Sequence, residues 1–224
     1  PLGAWENVFI AARAVVRKEV VLVEAPYFAT NIEDYLQGIQ ISENAIPPKR
    51  SNSVAALEQE YPNSPREGDT GFFSLGFMID ESTGEFKDEG GWIEVSFDCP
   101  VRNGEGDDLR IWEVTFGSYP PETADVYAWD AVNGNWVLLG VADNSEQGPQ
   151  DSPEALTVSN FDLGTLSSTQ KILIVDTTDS ENFDGTDGGR IRNNADGYDL
   201  DGIQALQDCV KIVEETAWAD GTRF

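Results

Sequence analysis

Apolar and polar residues alternate along several segments of the chain. In "GWIEVSFDCPV", Ile93, Val95 and Phe97 are separated by single polar residues, a period of two that is typical of a strand with one buried face. The segments "DLRIWEVTFG", "ADVYAWDA", "NWVLLGVAD" and "KILIVDTTD" predict further strands. Asn133 and Gly134 predict a tight hairpin between "ADVYAWDA" and "NWVLLGVAD".

The strands are separated by turn-rich segments, which is the spacing of an all-β sandwich. Acidic loops rich in Gly and Ser fall at 80–91, 143–157 and 179–197. One short helix is predicted at "SNSVAALEQE", where Ser51 or Ser53 can cap the first turn. The simplest organisation is therefore one antiparallel β-sandwich with one short helix and long acidic loops.

The predicted sandwich covers residues 20–215. Residues 1–19 form an apolar and basic arm, whose first three residues, "PLG", resemble the remnant of a cloned tag. Residues 216–224 are predicted to be a tail or the start of a following segment. The arm can pair with a strand of its own chain or with a neighbouring molecule, and pairing within the chain is the simpler alternative.

The charge of the chain narrows its possible partners. It has 224 residues, with 41 acidic and 14 basic side chains and a formal net charge of −27. Such a surface repels nucleic acid and anionic lipid, and it favours cations or basic partners. No run of 18 apolar residues is present, so membrane insertion is not expected.

Histidine is absent from the sequence. Its absence removes the commonest general base and the usual Ser-His and Cys-His nucleophile systems. What remains is carboxylate chemistry or the binding of hard cations by oxygen ligands. The two cysteines, Cys99 and Cys209, are either a disulfide formed in an oxidising compartment or two buried thiols.

A longer series of motifs resembles the galactose-binding-like (discoidin-like) modules of prokaryotic secreted and cell-surface proteins. The motifs occur in the order "RSNSVAAL", "GFFSLGF", "GGWIEVSFDCPVRNGEGDDLRIWEV", "VYAWDAVNGNWVLLG", "FDLGTL" and "KILIVDTTD…ADGYDLDGIQAL". The resemblance implies a jelly-roll sandwich, export from the cell and structural Ca²⁺. The acidic insertion "MIDESTGEFKDEGG" and the N-terminal arm depart from the pattern of these modules.

The segment "NADGYDLDGIQAL" is the first candidate metal site. It contains Asp196, Asp199 and Asp201, but its spacing does not match an EF-hand, because Gln207 stands where the bidentate Glu is required. The resemblance supplies a second acidic segment, "NGEGDDLRIWE", and the two could share calcium. The alternative is that Asp196 and Asp199 stabilise turns while Asp201 lies on a solvated strand face. The predicted ligands are Asp107, Asp108, Glu113, Asp196, Asp199 and Asp201.

The aromatic residues do not identify a ligand site. Trp92, Trp112, Trp129 and Trp136 lie in predicted strands, so we expect them to pack in the core. Loop tyrosines at positions 61, 119 and 198 could stack on a sugar ring, although packing at an edge is commoner.

These observations predict a non-catalytic extracellular module, stabilised by calcium and used for adhesion or ligand recognition. Its expected partners are a glycan or protein ligand at a cell surface, or copies of itself. The alternative is a structural subunit of an extracellular filament or layer that assembles when the N-terminal arm adds a strand to the next copy. A carboxylate-dependent glycan hydrolase is the least favoured class, because no partnered nucleophile or phosphate loop is present.

Overall fold

The computed structural model describes residues 14–57, 71–114, 120–145, 156–183 and 194–218. These residues form β-strands and three short 3₁₀ turns. The strands are β1 (Ala14–Val23), β2 (Tyr27–Phe28), β3 (Asn31–Leu36), β4 (Phe73–Ser74), β5 (Trp92–Arg102), β6 (Leu109–Val114), β7 (Thr123–Asp130), β8 (Asn135–Asp143), β9 (Leu156–Phe161), β10 (Ser168–Asp176), β11 (Asp199–Ala205) and β12 (Cys209–Trp218).

Two antiparallel sheets form the body of the molecule. The first has the strand order β3-β5-β10-β7-β8, and the second has the order β2-β11-β6-β9, with β4 also paired to β11. The strands of both sheets alternate between buried and half-exposed residues, as in β5 and β7. The prediction of an all-β antiparallel sandwich is confirmed.

The core lies between these two sheets. Ile93, Val95 and Phe97 of β5 are buried in it, together with Ile111 of β6 and Ile203 of β11. Because the alternation on β5 directs these three residues inward, their neighbours on the same strand face outward. The outward residues of the first sheet include Trp92, Trp129 and Trp136.

A two-stranded ribbon formed by β1 and β12 extends from the sandwich. Its register pairs Val20 with Ile212 and Leu22 with Val210, and all four of these side chains are exposed. The N-terminal arm thus finds a strand partner within its own chain. Residues 1–13 and 219–224, which include the tag-like start and most of the predicted tail, lie outside the described residues.

A disulfide between Cys99 and Cys209 fastens the ribbon to the sandwich. It connects β5 to the first residue of β12, with the two Cα atoms 6.0 Å apart. The closed loop spans 110 positions, and a loop of that length restricts the unfolded chain by about 4–5 kcal/mol in the chain-entropy model.

The predicted helix and hairpin differ in detail from the structure. Ser53–Leu57 form a 3₁₀ turn, and the side chain of Asn52, not of either serine, accepts the Val54 N–H at 3.3 Å. The β7–β8 hairpin is present, but four residues, 131–134, connect its strands, because the Asp130 carboxylate accepts backbone N–H groups inside the turn. No helix among the described residues has the length and apolar character needed to cross a membrane.

Candidate functional site

Buried carboxylates gather at one end of the sandwich, and we refer to them as the acidic cluster. They come from five separate places in the chain: β6, the start of β7, the end of β10, the loop before β11 and the start of β11. Each is at most 8% exposed. The members are Glu113, Glu122, Asp176, Asp196 and Asp199.

Neutral side chains donate hydrogen bonds to the carboxylate oxygens of the cluster. The Asn144 amide donates to Glu113 Oε1 at 3.3 Å and to Glu122 Oε2 at 3.1 Å, so it bridges two acids. Thr157 Oγ1 donates to the other oxygen of Glu113 at 2.5 Å. Ser74 Oγ donates to Asp199 Oδ1 at 2.5 Å. Hydrogen bonds of this kind offset part of the cost of burying a carboxylate.

Arg50 is the cation that neutralises part of the cluster. Its guanidinium Nη1 lies 2.8 Å from Asp196 Oδ1, and both side chains are largely buried. The same guanidinium lies 6.0 Å from the centre of the Phe72 ring. An ion pair in this position is costly to break, because the remaining charge would stay buried without its counter-ion.

Asp176 connects several loops at this end of the molecule. Its Oδ1 accepts the Thr178 N–H at 2.8 Å and its Oδ2 accepts the Tyr198 N–H at 2.9 Å. Gly197 adopts φ +72°, and a Cβ there would clash with Asp176 Oδ2. Only glycine fits this approach, so the Asp-Gly-Tyr motif at 196–198 is required by a contact from another strand.

Burial raises the pKa values of three members of the cluster, Glu122, Asp176 and Asp199. The pKa values of Glu122 and Asp199 lie well above the usual range. Desolvation by burial is the largest cause, and the negative charge of neighbouring carboxylates is the next. The pKa of Asp176 rises to about 6, because desolvation outweighs the hydrogen bonds from Thr178 and Tyr198. The Tyr198 ring is fully buried, its hydroxyl has no hydrogen-bond partner among the described residues, and desolvation raises its pKa too.

The structure divides the segment "NGEGDDLRIWE", which was predicted to share calcium with "NADGYDLDGIQAL", between the two ends of β11. Glu113 pairs with Leu200 near one end of β11, whereas Leu109 pairs with Ala205 at the other end. Asp107 and Asp108 immediately precede Leu109, so they lie about 20 Å along the strand from Asp199. Glu113 does lie close to Asp199, because it pairs with the next residue, Leu200, and its charge contributes to the raised pKa of Asp199.

The remaining predicted ligands, Asp107, Asp108 and Asp201, differ in their surroundings. Asp108 is buried, and its two oxygens accept the Gly104 N–H at 2.7 Å and the Leu163 N–H at 3.0 Å. Asp107 is exposed. Asp201 is buried where the β6–β11 register shifts, so it does not lie on a solvated strand face. Among the described residues, no three acidic side chains are arranged to hold a metal ion.

A second site, which the sequence predictions missed, lies on the outer face of the first sheet. It is a cleft of about 390 Å³, within the range of roughly 300–1,000 Å³ for small-ligand sites. Leu173 and Val175 of β10 form part of its lining between Trp92 of β5 and Trp136 of β8. We call it the outer-face cleft.

The acidic insertion at 78–91 forms one wall of the outer-face cleft. Met78, Lys87, Glu89 and Gly90 from this segment line it. The segment is held in shape by a bridge between Ile79 and Phe86 and by the Lys87 N–H, which donates to the Met78 carbonyl at 2.8 Å. The acidic insertion, which departs from the pattern of the galactose-binding-like modules, thus supplies part of a concave surface.

The tryptophans do not pack in the core, so that prediction is wrong. Trp92, Trp112, Trp129 and Trp136 are all half-buried and alternate with inward-facing residues. Trp129 packs edge-on against Trp136, with ring centres 5.2 Å apart. For Trp92 the alternation in the sequence already indicated an outward position, because Trp92 lies on the opposite face of the strand from Ile93, Val95 and Phe97. Of the loop tyrosines, Tyr198 is buried, and positions 61 and 119 lie outside the described residues.

Comparison with known proteins gives no family. No protein-family model matches the chain, and no curated protein matches its sequence. Among solved structures, the chain is similar to the C-terminal domain of a chitobiase from Bacteroides fragilis, with a TM-score of 0.42 and 9% identity, covering 85% of this chain and 95% of that chain. The resemblance to galactose-binding-like modules stays a prediction.

We expect Gly197→Ala to destabilise the protein by about 3 kcal/mol or more, since it adds both left-handed strain and a clash with Asp176. Gly84→Ala is the matched control, because Gly84 has φ +77° but a Cβ added there would meet no atom within 4 Å. The free energy of unfolding of Gly84→Ala should fall by only about 1–2 kcal/mol. Urea unfolding measures both, and equal losses would contradict the role assigned to the Asp176 contact.

Without added metal, stability should fall as pH rises from about 4 to above 6. The folded state binds more protons in this window, because the pKa of Asp176 is about 6 when folded and 3.8 when unfolded. A shift of this size corresponds to roughly 3 kcal/mol at neutral pH. Glu122 and Asp199 shift in the same direction and extend the window upward.

Urea unfolding at several pH values in the presence of a chelator tests this expectation. Asp176→Asn should flatten the decrease, whereas Asp107→Asn, an exposed acid at the other end of β11, should keep the wild-type profile. Stability that increases from pH 4 to pH 7 would contradict the assignment.

Proposed function

We propose that this chain is a non-catalytic ligand-binding module of a secreted or cell-surface protein, and that its ligand occupies the outer-face cleft. The observation that supports this most strongly is the pair of half-buried tryptophans, Trp92 and Trp136, at a concave surface on rigid strands. Large aromatic side chains in such a position provide contact area at low entropic cost.

The state of the acidic cluster supports a non-catalytic role. A general acid or base must reach the proton of a bound substrate. The carboxylates of the cluster are instead buried and hydrogen-bonded to groups such as Asn144, Thr157 and Ser74. We infer that they hold the ends of the strands and loops together.

One feature supports a location outside the cell, and the net charge narrows the possible partners. The Cys99–Cys209 disulfide is of a kind that persists in oxidising compartments. The net charge of −27 suits a protein that stays soluble without binding nucleic acid. Adhesion is the role that the resemblance to galactose-binding-like modules implies, whereas the cleft is proposed from the structure alone.

The filament alternative has one observation in its favour. Val20, Leu22, Val210 and Ile212 form an exposed apolar face on the β1–β12 ribbon. However, β1 already pairs with β12 of its own chain, so donation of the arm to another copy would first have to break this pairing, and the two-stranded ribbon would otherwise have to add a strand at an outer edge. We therefore place ligand recognition first.

The structural calcium ion is a separate proposal, and the described side chains do not fit it, since no three of them are arranged to hold an ion. It rests on the resemblance to galactose-binding-like modules, and it can be tested directly. An ion bound only by the folded protein raises stability with concentration, by about 2.7 kcal/mol at 100 times its dissociation constant. An unfolding midpoint at pH 7 that is the same in saturating calcium and in chelator would exclude the ion, and magnesium serves as the control for general screening.

A binding screen tests the proposed function. Wild-type protein is applied to a glycan array and a peptide array beside Trp136→Ala and Trp112→Ala. Trp112 is the matched control, a half-buried tryptophan on the other sheet that stacks with Arg110. We expect wild type and Trp112→Ala to bind the same ligand and Trp136→Ala to lose it. Binding that both variants lose equally, or no binding by wild type, would contradict the proposal.

A further inference from the structure

The outer-face cleft is close to electrically balanced, although the chain as a whole is strongly acidic. Two carboxylates, Glu89 and Glu94, and one ammonium group, Lys87, line it. Glu94 is in turn paired with Lys171 at 2.7 Å. Lys171 also lies 3.6 Å from Glu33, outside the lining, so the lining itself carries a net charge of only −1 and Glu94 already has a counter-ion. A cationic ligand would gain little from such a surface, because Glu94 already has its counter-ion.

Anionic ligands are disfavoured for a different reason. The net charge of the chain is −27, so the long-range field opposes the approach of a negatively charged molecule. A purely apolar ligand is also a poor match. It would cover the charged groups of Lys87, Glu89 and Glu94 without offering them hydrogen bonds, and such burial is costly.

A neutral sugar matches both the apolar side chains and the charged side chains that line the cleft. A pyranose ring presents apolar C–H groups on its faces and hydroxyls around its edge. The faces match the tryptophans and the apolar side chains of Leu173 and Val175. The hydroxyls can donate to the carboxylates and accept from the lysine.

The distance between the two tryptophans indicates how long the ligand is. Trp92 is on β5 and Trp136 is on β8, with β10 and β7 between them. Three strand intervals of about 4.8 Å place these residues roughly 14 Å or more apart across the sheet. That separation is wider than a single sugar ring.

We propose that the outer-face cleft binds a neutral oligosaccharide, with one ring against Trp92, another against Trp136, and the acidic insertion at 78–91 contacting the hydroxyls. This inference rests on the proposed function, because it names the ligand class of the same cleft. Trp129 acts as a positioning residue, since its ring packs against Trp136.

Isothermal titration with tetrasaccharides of known charge tests the inference. The neutral set consists of cellotetraose, maltotetraose, mannotetraose and galactotetraose. The charged set keeps the linkage of cellotetraose and consists of its glucosamine and glucuronic acid counterparts. We expect the wild-type protein to bind at least one neutral tetrasaccharide and to bind both charged ones at least tenfold more weakly. Wild-type protein that binds none of the four neutral sugars, or prefers a charged counterpart, would overturn the inference.

Variants show whether the binding takes place in the cleft. Trp92→Ala and Trp136→Ala should each weaken binding of the neutral sugar about tenfold or more. Trp136→Phe, which keeps an aromatic face, should weaken binding of the neutral sugar less than Trp136→Ala does. Trp112→Ala should bind as wild type does. Near-ultraviolet circular dichroism and urea midpoints establish that each variant is folded.

The results also separate this inference from the proposed function. Cleft-dependent binding of a peptide or of a charged sugar, without binding of any neutral sugar, would overturn the neutral-glycan inference and leave the ligand-binding function in place. If the Trp92 and Trp136 variants bind every ligand as tightly as wild type does, both proposals fail.

Discussion

The burial of the Asp176 carboxylate is the constraint on which the end of this sandwich depends. Asp176 is the last residue of β10 in the first sheet, and it accepts the N–H of Tyr198, which leads into β11 of the second sheet. A buried carboxylate requires donors to offset its loss of hydration. The chain supplies them from backbone groups, so the position of one side chain fixes the path of several loops.

The same residue links the acidic cluster to the outer-face cleft. The Asp176 carbonyl accepts the Gly90 N–H at 2.7 Å, and Gly90 lines the cleft. Asp176 therefore belongs to the acidic cluster inside the molecule and also contacts a residue that lines the cleft on its surface. This arrangement gives Asp176 a structural role, because it holds in place the loop that forms one wall of the cleft beside the tryptophans.

Local alternation predicted much of the fold because the period of a half-buried strand is written directly in the sequence. It identified β5, β7, β8 and β10 and the class of sandwich. It was less informative for "SNSVAALEQE", where the described part is a 3₁₀ turn at Ser53–Leu57, and for the ribbon of β1 and β12. Pairing between the two ends of the chain depends on long-range contacts that no local pattern encodes.

The candidate sites show the same division. By itself the sequence determined that histidine chemistry is absent, that carboxylates dominate, and that Trp92 alternates with inward-facing residues. Only the tertiary structure decided which acids meet: it brought Glu113, Glu122, Asp176, Asp196 and Asp199 together and left Asp107 and Asp108 at the far end of β11. It also brought Trp92 and Trp136 to one cleft. The physical reason is that strand register and sheet order set distances across the fold, and both are fixed by the packing of the whole core.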